Sequence, residues 1–404
     1  MKALWQAGMT LVCFLALGSP LGAQTPERAR DLGVPFEGTP GPLNAITDVP
    51  GVEVGYTTLI SGEGKLAVGK GPIRTGVTAI LPRGKNFKDP VFAGFFSQNG
   101  NGEMTGIHWV RESGFLEGPV MITNTHSVGV VRDAVIDWEM KHGATQYPWS
   151  LPVVAETYDG FLNDINGFHV TSADTWHAID TAASGPVAEG NVGGGTGMAC
   201  FGFKGGTGTA SRVLPASQGG YVVGVLVQCN TGSAHELRIA GVPVGQDLHQ
   251  DRQAKLLYGS EHVDTGSIII VVATNAPLTA AQMDRLSRRA TLGLGRLGGT
   301  SGDGSGDIFV SFSTANPGAD IAPRPFQRGA PPSTTPPPVV QIGMLPNWAI
   351  NPLFDATIRA TEEAIVNAMV GARTMTGING NTINALPHDA LHKLMEQPHS
   401  PTAW

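Results

Sequence analysis

Apolar residues along the chain follow two patterns, short runs bounded by turn residues and longer stretches with helical spacing. The short runs are rich in Val, Ile and Leu, and their length and flanking residues predict β-strands. These predicted strands cover residues 52–58, 76–81, 91–96, 119–126, 152–155, 221–228, 268–274 and 308–312. The helical spacing predicts helices at 127–138, 171–183, 277–298 and 351–369, with Ser127 and Thr279 as N-caps of two of them. The combination indicates an α/β protein whose mixed sheets place several strand ends on one side.

The segments between these elements are polar or rich in Gly and Pro. Two glycine clusters, 189–200 and 204–211, lack the Gly-Lys-Ser/Thr of a P-loop and the leading strand of a dinucleotide fingerprint. They indicate close backbone packing around a site instead. Residues 245–265 carry charges of both signs and predict a surface linker where cleavage of the chain is tolerated. The Pro-rich residues 317–338 predict an extended excursion.

Residues 1–23 have the features of a secretory signal. Lys2 supplies the positive start, 11–17 is a short apolar run, and 21–23 is a candidate cleavage site. The apolar run is too short for a membrane anchor. We therefore expect a mature protein that starts near residue 24 and is exported to the periplasm. Once the signal is removed, we expect no membrane partner.

Composition limits the classes of partner and cofactor. The chain has 404 residues, 41% of them hydrophobic, which is enough for a substantial core. A net charge of −7 without a long basic run argues against nucleic acid as a partner. No Cys/His cluster has zinc spacing, so no metal or other cofactor is expected. Of three cysteines, Cys200 and Cys229 lie outside the signal; they are small buried residues or form a single bridge.

Polar side chains stand at the ends of two predicted strands. Glu156 ends one strand, with Tyr158 two residues later, and this pair could bind the ammonium group of a substrate; a solvated turn acid is the alternative. Asn230 follows another strand and offers an amide to an oxyanion, although it also suits an ordinary turn. From the residues alone, both alternatives stay open.

The dipeptide Gly266-Ser267 directly precedes a run of β-branched residues. By itself it is typical of a turn before a buried strand. If the chain were cut there, however, the Ser267 hydroxyl would lie beside its own α-amine, whose unperturbed pKa is about 8. Such a pair is a compact nucleophile and base. A Gly-rich loop farther along carries Ser305 and Asp307 at the start of the next strand, which supply a hydroxyl relay and a carboxylate.

No histidine is an obvious general base, although His126 and His235 lie in polar surroundings. N-terminal-nucleophile hydrolysis works without a histidine, because a freed α-amine or a nearby relay takes the proton. The sequence therefore suggests this chemistry, with the nucleophile, oxyanion donor, relay and carboxylates meeting in one cleft.

In its motifs the chain resembles the DmpA/BapA family of self-cleaving aminopeptidases, and most closely the β-peptidyl aminopeptidases. The resemblance extends from 28–33 to 386–389. Its most specific matches are Leu43-Asn44-Ala45-Ile46-Thr47-Asp48-Val49, Asn99-Gly100 with Gly102-Glu103, residues 189–198, Phe203-Lys204-Gly205-Gly206, Val225-Leu226-Val227-Gln228 with Asn230, and Ser267 with its strand.

This resemblance implies an αββα sandwich of the DmpA type, in a precursor that cleaves its own chain before Ser267. Residues 24–266 would form an α chain and 267–404 a β chain of one domain, assembled as a tetramer of αβ units. Carried over residue by residue, Ser267 is the nucleophile and Asn230 the oxyanion donor. Ser305 and Asp307 are the supporting hydroxyl and carboxylate. Glu156, with Tyr158, receives the free amine of the substrate.

Two positions depart from the family pattern. Asp307 stands where close β-peptidyl members have Glu, so its hydrogen bonds must be rebuilt or bridged by water. Gly266 stands before the cut where some members have Asn, and we expect no loss of cleavage from that change.

The leading hypothesis is an exported aminopeptidase acting on short peptides or amides. Its expected substrates carry β-amino residues, with small L-residues as the alternative. The choice among β-, L- and D-residues depends on the shape of the substrate pocket. The alternatives are an acyltransferase of the same fold, although those use Thr as nucleophile, and a non-enzymatic periplasmic binding protein that needs no cut.

Overall fold

The computed structural model describes residues 27–248, 266–321, 336 and 338–397. The strands are β1 (Glu53–Ser61), β2 (Ile73–Lys85), β3 (Val91–Gly100), β4 (Phe115–Leu116), β5 (Val120–Asn124), β6 (Val153–Thr157), β7 (Ala199–Cys200), β8 (Phe203–Lys204), β9 (Gly206–Val213), β10 (Val222–Asn230), β11 (Ser267–Thr274), β12 (Gly306–Ser313), β13 (Met375–Thr376) and β14 (Thr382–Ile383). The α-helices are α1 (Ile107–Ser113), α2 (Val128–His142), α3 (Ser172–Asp180), α4 (Val244–Leu248), α5 (Ala280–Arg296), α6 (Asn351–Val370) and α7 (His388–Glu396).

Two mixed sheets form the centre of the molecule. One has four strands in the order β1-β2-β5-β6, and the other has six in the order β4-β3-β12-β11-β10-β9. Most neighbours are antiparallel, but β5 pairs with β6 and β11 pairs with β12 in parallel. Two small hairpins, β7-β8 and β13-β14, complete the sheet structure of the described residues.

Three apolar clusters define the layers. One cluster joins inward-facing residues of both sheets, such as Ile80 of β2 and Ile269 of β11. A second joins the other face of the six-stranded sheet to α5 and α6, and a third joins the other face of the four-stranded sheet to α2 and α3. The order of layers is therefore helix, sheet, sheet, helix, which confirms the αββα sandwich.

Strand β11 lies in the middle of this arrangement. Ile268, Ile270 and Val272 face the helices, whereas Ile269 and Val271 face the other sheet. A strand buried on both faces needs a continuous apolar run, which explains why its sequence shows no alternation. Because β11 is antiparallel to β10 and parallel to β12, its first residue lies beside the end of β10 and the start of β12.

Most predicted elements are confirmed, and the corrections have physical reasons. Strand β9 lies inside the second glycine cluster, where Gly, Thr and Ser hide the strand pattern. Ser127 occupies the N-cap position of α2 without a side-chain cap bond; Asn124 instead accepts from the His126 N–H at 3.0 Å. Thr279 is the N-cap of α5, and its backbone N–H donates to the Gln282 side chain.

Some predictions fall partly or wholly outside the described residues. The signal segment 1–23 does so entirely, as do 249–265 of the predicted linker and 322–335 and 337 of the Pro-rich segment. The start of the predicted linker is a short helix, α4, rather than an irregular surface segment. Within the described ranges, no helix has the length and apolar character needed to cross a membrane.

Candidate active site

A cavity of about 550 Å³ opens at the edge where the strand ends meet. Its lining includes five predicted site residues: Glu156, Tyr158, Asn230, Ser267 and Gly266, the residue before the predicted cut. The other lining residues are Asn101, Gly102, Glu103, Thr125, Phe161, Gly197, Ala199, Gly304 and Ile383. Ser305 and Asp307 are fully buried and do not line the cavity. The topology thus places the predicted site in one region, and Ser305 and Asp307 lie beneath the surface of the cavity.

Ser267 is the first residue of β11, and its side chain is buried at the base of the cavity. Its backbone pairs with Asn230 on one side and with Gly306 on the other. The Gly306 N–H lies 3.2 Å from both the Ser267 Oγ and the Gly266 carbonyl. The hydroxyl is therefore held at the point where three strand ends meet.

Gly266 approaches the β10 end closely. A Cβ at this position would lie 2.1 Å from the Asn230 carbonyl oxygen, so a larger residue would require the backbone to move. Glycine therefore brings the 266–267 peptide directly against the strand that carries Asn230.

Behind Ser267, the Ser305 hydroxyl donates to Asp307 Oδ1 at 2.7 Å. The shorter aspartate therefore makes this bond directly, without the water that the sequence left as an alternative. The end of β3 supports the loop, because Asn99 Nδ2 donates to the carbonyls of Gly302 and Ser305, each at 2.7 Å. This arrangement fixes a buried hydroxyl and carboxylate next to the strand partner of Ser267.

The Asn230 amide has a forced orientation. Its Oδ1 accepts from the Ala199 N–H at 2.8 Å, and its Nδ2 donates to the Tyr158 carbonyl at 3.0 Å. Both partners are backbone groups of fixed polarity, so a flipped amide would lose both bonds. Nδ2 has two hydrogens, and the bond to Tyr158 uses only one of them. The other can serve an oxyanion.

Glu156 is the last residue but one of β6 and is buried. Its Oε1 accepts from the Glu103 N–H at 2.9 Å, and its Oε2 accepts from the Thr125 hydroxyl at 2.5 Å. Burial raises the pKa of Glu156 above that of an ordinary glutamate, although these hydrogen bonds oppose the rise. The geometry rules out the solvated turn acid and leaves a carboxylate suited to a cationic group. Tyr158 is half exposed at the cavity mouth.

Cys200 and Cys229 form a disulfide, which resolves the alternative left by the sequence. Both cysteines are fully buried, and they stand next to Ala199 and Asn230 in sequence. The bridge therefore covalently joins β7 to the end of β10. Nearby, the Phe201 N–H donates to the Thr231 carbonyl at 2.7 Å.

Sequence reasoning did not identify several residues of the site. Thr125, Phe161 and Ile383 belong to segments that gave no chemical signal. Ala199 lies in the first glycine cluster, which indicated packing around a site but not that its backbone N–H would bind Asn230. The 99–103 segment is identified from the sequence only by its match to the family motif; in the structure it carries the N–H that binds Glu156.

Neither histidine considered as a base lines the cavity. His126 instead stacks on Phe168, with a centroid separation of 6.0 Å. Across the part of the chain that the structure describes, no group of three or more His, Cys, Asp or Glu side chains could hold a metal ion.

Comparison with known proteins gives concordant matches. The profile of Peptidase family S58 matches residues 44–383. The beta-peptidyl aminopeptidase BapA of Sphingosinicella microcystinivorans is 53% identical over 397 residues, covering 96% of each chain. The protein of the same name from Sphingosinicella xenopeptidilytica is 45% identical over 404 residues, covering 98% of each.

Solved structures agree with these matches. A Burkholderia sp. beta-aminopeptidase superposes with a TM-score of 0.81 at 47% identity, covering 91% of this chain and 98% of the other. The L-aminopeptidase D-Ala-esterase/amidase of Ochrobactrum anthropi, described as a prototype of the serine aminopeptidases and a variant of the Ntn hydrolase fold, gives 0.80 at 46% identity with the same coverage.

Proposed function

The chain belongs to peptidase family S58 and is an N-terminal-nucleophile serine aminopeptidase, and we propose that it removes β-amino acid residues from the amino termini of short peptides and amides. The near full-length similarity to two beta-peptidyl aminopeptidases supports this substrate class. The observation that carries the residue assignment is the meeting of Ser267, Asn230 and Glu156 in one cavity.

The first proposed step is cleavage of the precursor between Gly266 and Ser267. In this step Ser267 Oγ attacks the Gly266 carbonyl carbon, the C–N bond breaks as the hydroxyl proton passes to the nitrogen, and water hydrolyses the ester that results. Gly266 brings this bond against β10. Cleavage frees the Ser267 α-amine, whose unperturbed pKa of about 8 suits a general base near neutral pH. The hydroxyl and its base then belong to the same residue.

In the proposed acylation, Ser267 Oγ attacks the carbonyl carbon of the substrate's first residue, and its proton passes to the α-amine. The carbonyl oxygen becomes an oxyanion and accepts from Asn230 Nδ2. As the C–N bond breaks, the proton passes to the leaving amine. Water then attacks the ester on Ser267 with the same base, and the free amino acid and the enzyme are restored.

The Ser305–Asp307 pair has a supporting role in this scheme. Its members are fully buried and flank Gly306, whose N–H is 3.2 Å from the nucleophilic oxygen. We propose that these two residues fix the position of the new N-terminus and the polar surroundings of its α-amine. Asp307 accepts from the Ser305 hydroxyl, which fixes both side chains beside Gly306.

Glu156 gives the scheme its aminopeptidase character. A buried carboxylate that already accepts two hydrogen bonds is prepared to bind the ammonium of a substrate, since such charge-assisted bonds are strong. Tyr158 flanks it at the mouth. A substrate with a blocked amine would leave Glu156 without its cationic partner, so we expect only free amino termini to be accepted.

The test of this assignment is the fate of Ser267→Ala. Purified wild-type protein should show two chains by intact mass, with Ser267 at the new N-terminus. The Ser267→Ala variant should stay uncut and inactive while keeping its circular dichroism spectrum. A single uncut chain with full peptidase activity would contradict the proposal.

A substrate panel tests the β-amino preference separately. The amide of a β-homo-residue has an additional carbon between amine and carbonyl compared with the two alanine amides, and Glu156 and Ser267 must span this path together. The L-Ala and D-Ala amides differ from each other only in configuration. We expect the largest kcat/KM for the β-homo-residue amide. A clear preference for either alanine amide would keep the aminopeptidase and reject the β-substrate assignment.

We further propose that the protein is exported after loss of residues 1–23 and works as a homo-oligomer of αβ units. The Cys200–Cys229 disulfide supports export, because disulfides persist in oxidising compartments such as the periplasm. N-terminal sequencing of a periplasmic extract tests the first point, and light scattering of the purified enzyme tests the second.

A further inference from the structure

Lys204 is a buried lysine whose presence the reaction described above does not explain. Its side chain is fully buried at the end of β8, and no ion pair forms with it among the described residues. Burial lowers the pKa of Lys204 to about 7, with no carboxylate to oppose the shift. Burying such a group without a charged partner is costly, so its local contacts need an explanation.

The Lys204 Nζ donates to two backbone carbonyls, those of Met198 and Gly205, each at 2.7 Å. The Met198 carbonyl also accepts from the Gly205 N–H at 3.0 Å. The backbone is crowded here, since a Cβ on Gly205 would lie 2.5 Å from the Cys229 carbonyl. The Met198–Ala199 peptide is therefore fixed on its carbonyl side by Lys204.

The other side of the same peptide faces the site. Its N–H, that of Ala199, donates to Asn230 Oδ1 at 2.8 Å, and this bond decides which way the Asn230 amide points. Lys204, the 198–199 peptide and the Asn230 side chain thus form one chain of hydrogen bonds that ends at Nδ2. In such a chain each bond polarises the next, so a strong donor at one end strengthens the donor at the other.

We propose that Lys204 is a positioning residue for the oxyanion donor: it orients and polarises the Asn230 amide through the Met198–Ala199 peptide. This inference rests on the proposed role of Asn230. Lys204 itself does not line the cavity and touches no reacting atom. Its contribution should therefore appear in the chemical step and not in binding of the substrate amine by Glu156.

A double-mutant cycle tests the inference, with wild type, Lys204→Met, Asn230→Ala and the double variant. Rates are normalised to the amount of processed β chain measured by intact mass. Removing one oxyanion donor lowers kcat by about 10²–10³-fold. We expect Lys204→Met to lose part of this, about 10-fold or more, with little change in KM. In the Asn230→Ala background the same change should have almost no further effect, because the group it positions is gone.

Arg83→Met is the matched control. Arg83 is largely buried and also donates to backbone carbonyls, those of Asp89, Pro90, Thr314 and Ala315. Unlike Lys204, it also pairs with a carboxylate, that of Asp89, at 2.7 Å. It lies near the end of β2 and the end of β12, away from the strand ends that form the site. We expect it to lower the melting temperature with little change in kcat, which separates lost stability from lost positioning.

The outcomes are distinguishable. An equal loss of kcat from Lys204→Met in both backgrounds, or no loss in wild type, would overturn the inference alone. A wild type without hydrolysis, or an Asn230→Ala variant with full activity, would contradict the proposed function and this inference with it. If Lys204→Met gives no folded, processed enzyme, Lys204→Gln enters the cycle, since its amide keeps a neutral donor; a smaller loss with the same non-additivity is then expected.

Discussion

At the scale of single residues, Glu156 shows how burial and hydrogen bonding set the pH range over which a side chain is charged. Burial is the largest influence on its pKa and raises it, whereas the bonds from Thr125 and the Glu103 N–H lower it. The Glu103 carboxylate adds a smaller rise, since a nearby like charge disfavours ionisation. The charged form of Glu156 is therefore lost at a higher pH than that of an ordinary glutamate as the solution is acidified.

This gives a signed pH prediction for Glu156→Gln. If the α-amine of Ser267 is the base, log kcat/KM falls on the acid side with protonation of that amine, and it falls more steeply once Glu156 is also protonated. Replacing Glu156 by Gln should remove the steeper part of the profile. Loss of a hydrogen bond to a charged group costs about 1.5–3 kcal/mol, or about 10- to 150-fold in kcat/KM. Steady-state rates across the acid range measure both effects.

Glu103→Gln is the control for this prediction. It removes a carboxylate from the same cavity but keeps the backbone N–H that binds Glu156. Since Glu103 raises the Glu156 pKa, its neutralisation should move the steep part of the profile to lower pH with kcat/KM at neutral pH nearly unchanged. A Glu156→Gln profile as steep as that of the wild type would reject Glu156 as the ammonium partner.

At the scale of elements, the sequence predicts a strand best when hydrophobic burial alone defines it. β11 is apolar on both faces, and its continuous run of Ile and Val makes it predictable. β9 is fully or nearly buried as well, but with Gly, Thr and Ser, because glycines let helix α6 and the 189–197 segment approach closely. At Gly208, for example, a Cβ would lie 2.0 Å from the Ala364 carbonyl. Such packing between distant segments leaves no periodic signal.

The residues of the site also divide into those that the sequence reveals and those that only the fold reveals. Side chains that carry chemistry at strand ends, such as Ser267 and Asn230, could be found from sequence. The backbone N–H groups of Ala199 and Glu103 could not, since every residue has one and only the fold aims them. The same limit applies to Lys204, whose burial and carbonyl partners depend on the close approach of 198 and 205.

The disulfide gives a prediction at this scale. Cys200 and Cys229 are 29 residues apart, and a crosslink of this kind typically stabilises a protein by about 2–4 kcal/mol. In denaturant titration, the double variant Cys200→Ala/Cys229→Ala should have a free energy of unfolding lower than that of the wild type by about this amount. Its kcat should stay near wild type, because the Ala199–Asn230 and Phe201–Thr231 hydrogen bonds still hold β7 to β10.

Reductant provides the control for the disulfide variant. In the presence of reductant, the wild type should have the same free energy of unfolding as the double alanine variant. The stability of the double variant should not change with reductant. Equal stability of wild type and the double variant without reductant would show that the bridge contributes nothing.

At the scale of the whole molecule, the proposed cut divides the chain but not the fold. β11 and β12 belong to the second segment and lie between β3 and β10 of the first. Both faces of β11 pack into apolar clusters, which also contain residues from the first segment. The two segments therefore share one sheet and the same apolar clusters, and the proposed cut falls immediately before β11, outside the strand.

It follows that the two segments should depend on each other for folding. Residues 24–266 expressed alone would have β3 and β10 as unpaired edges with a missing centre, and such edges aggregate. We expect this segment, and 267–404 alone, to be insoluble or unfolded by circular dichroism, whereas the cut enzyme elutes as one species in native size-exclusion chromatography and separates only in denaturant. Uncut Ser267→Ala, the control, should elute at the same volume as the cut enzyme, because its sheet has the same strands. A soluble, folded 24–266 segment would show that β11 and β12 are dispensable, which their central position in the sheet argues against.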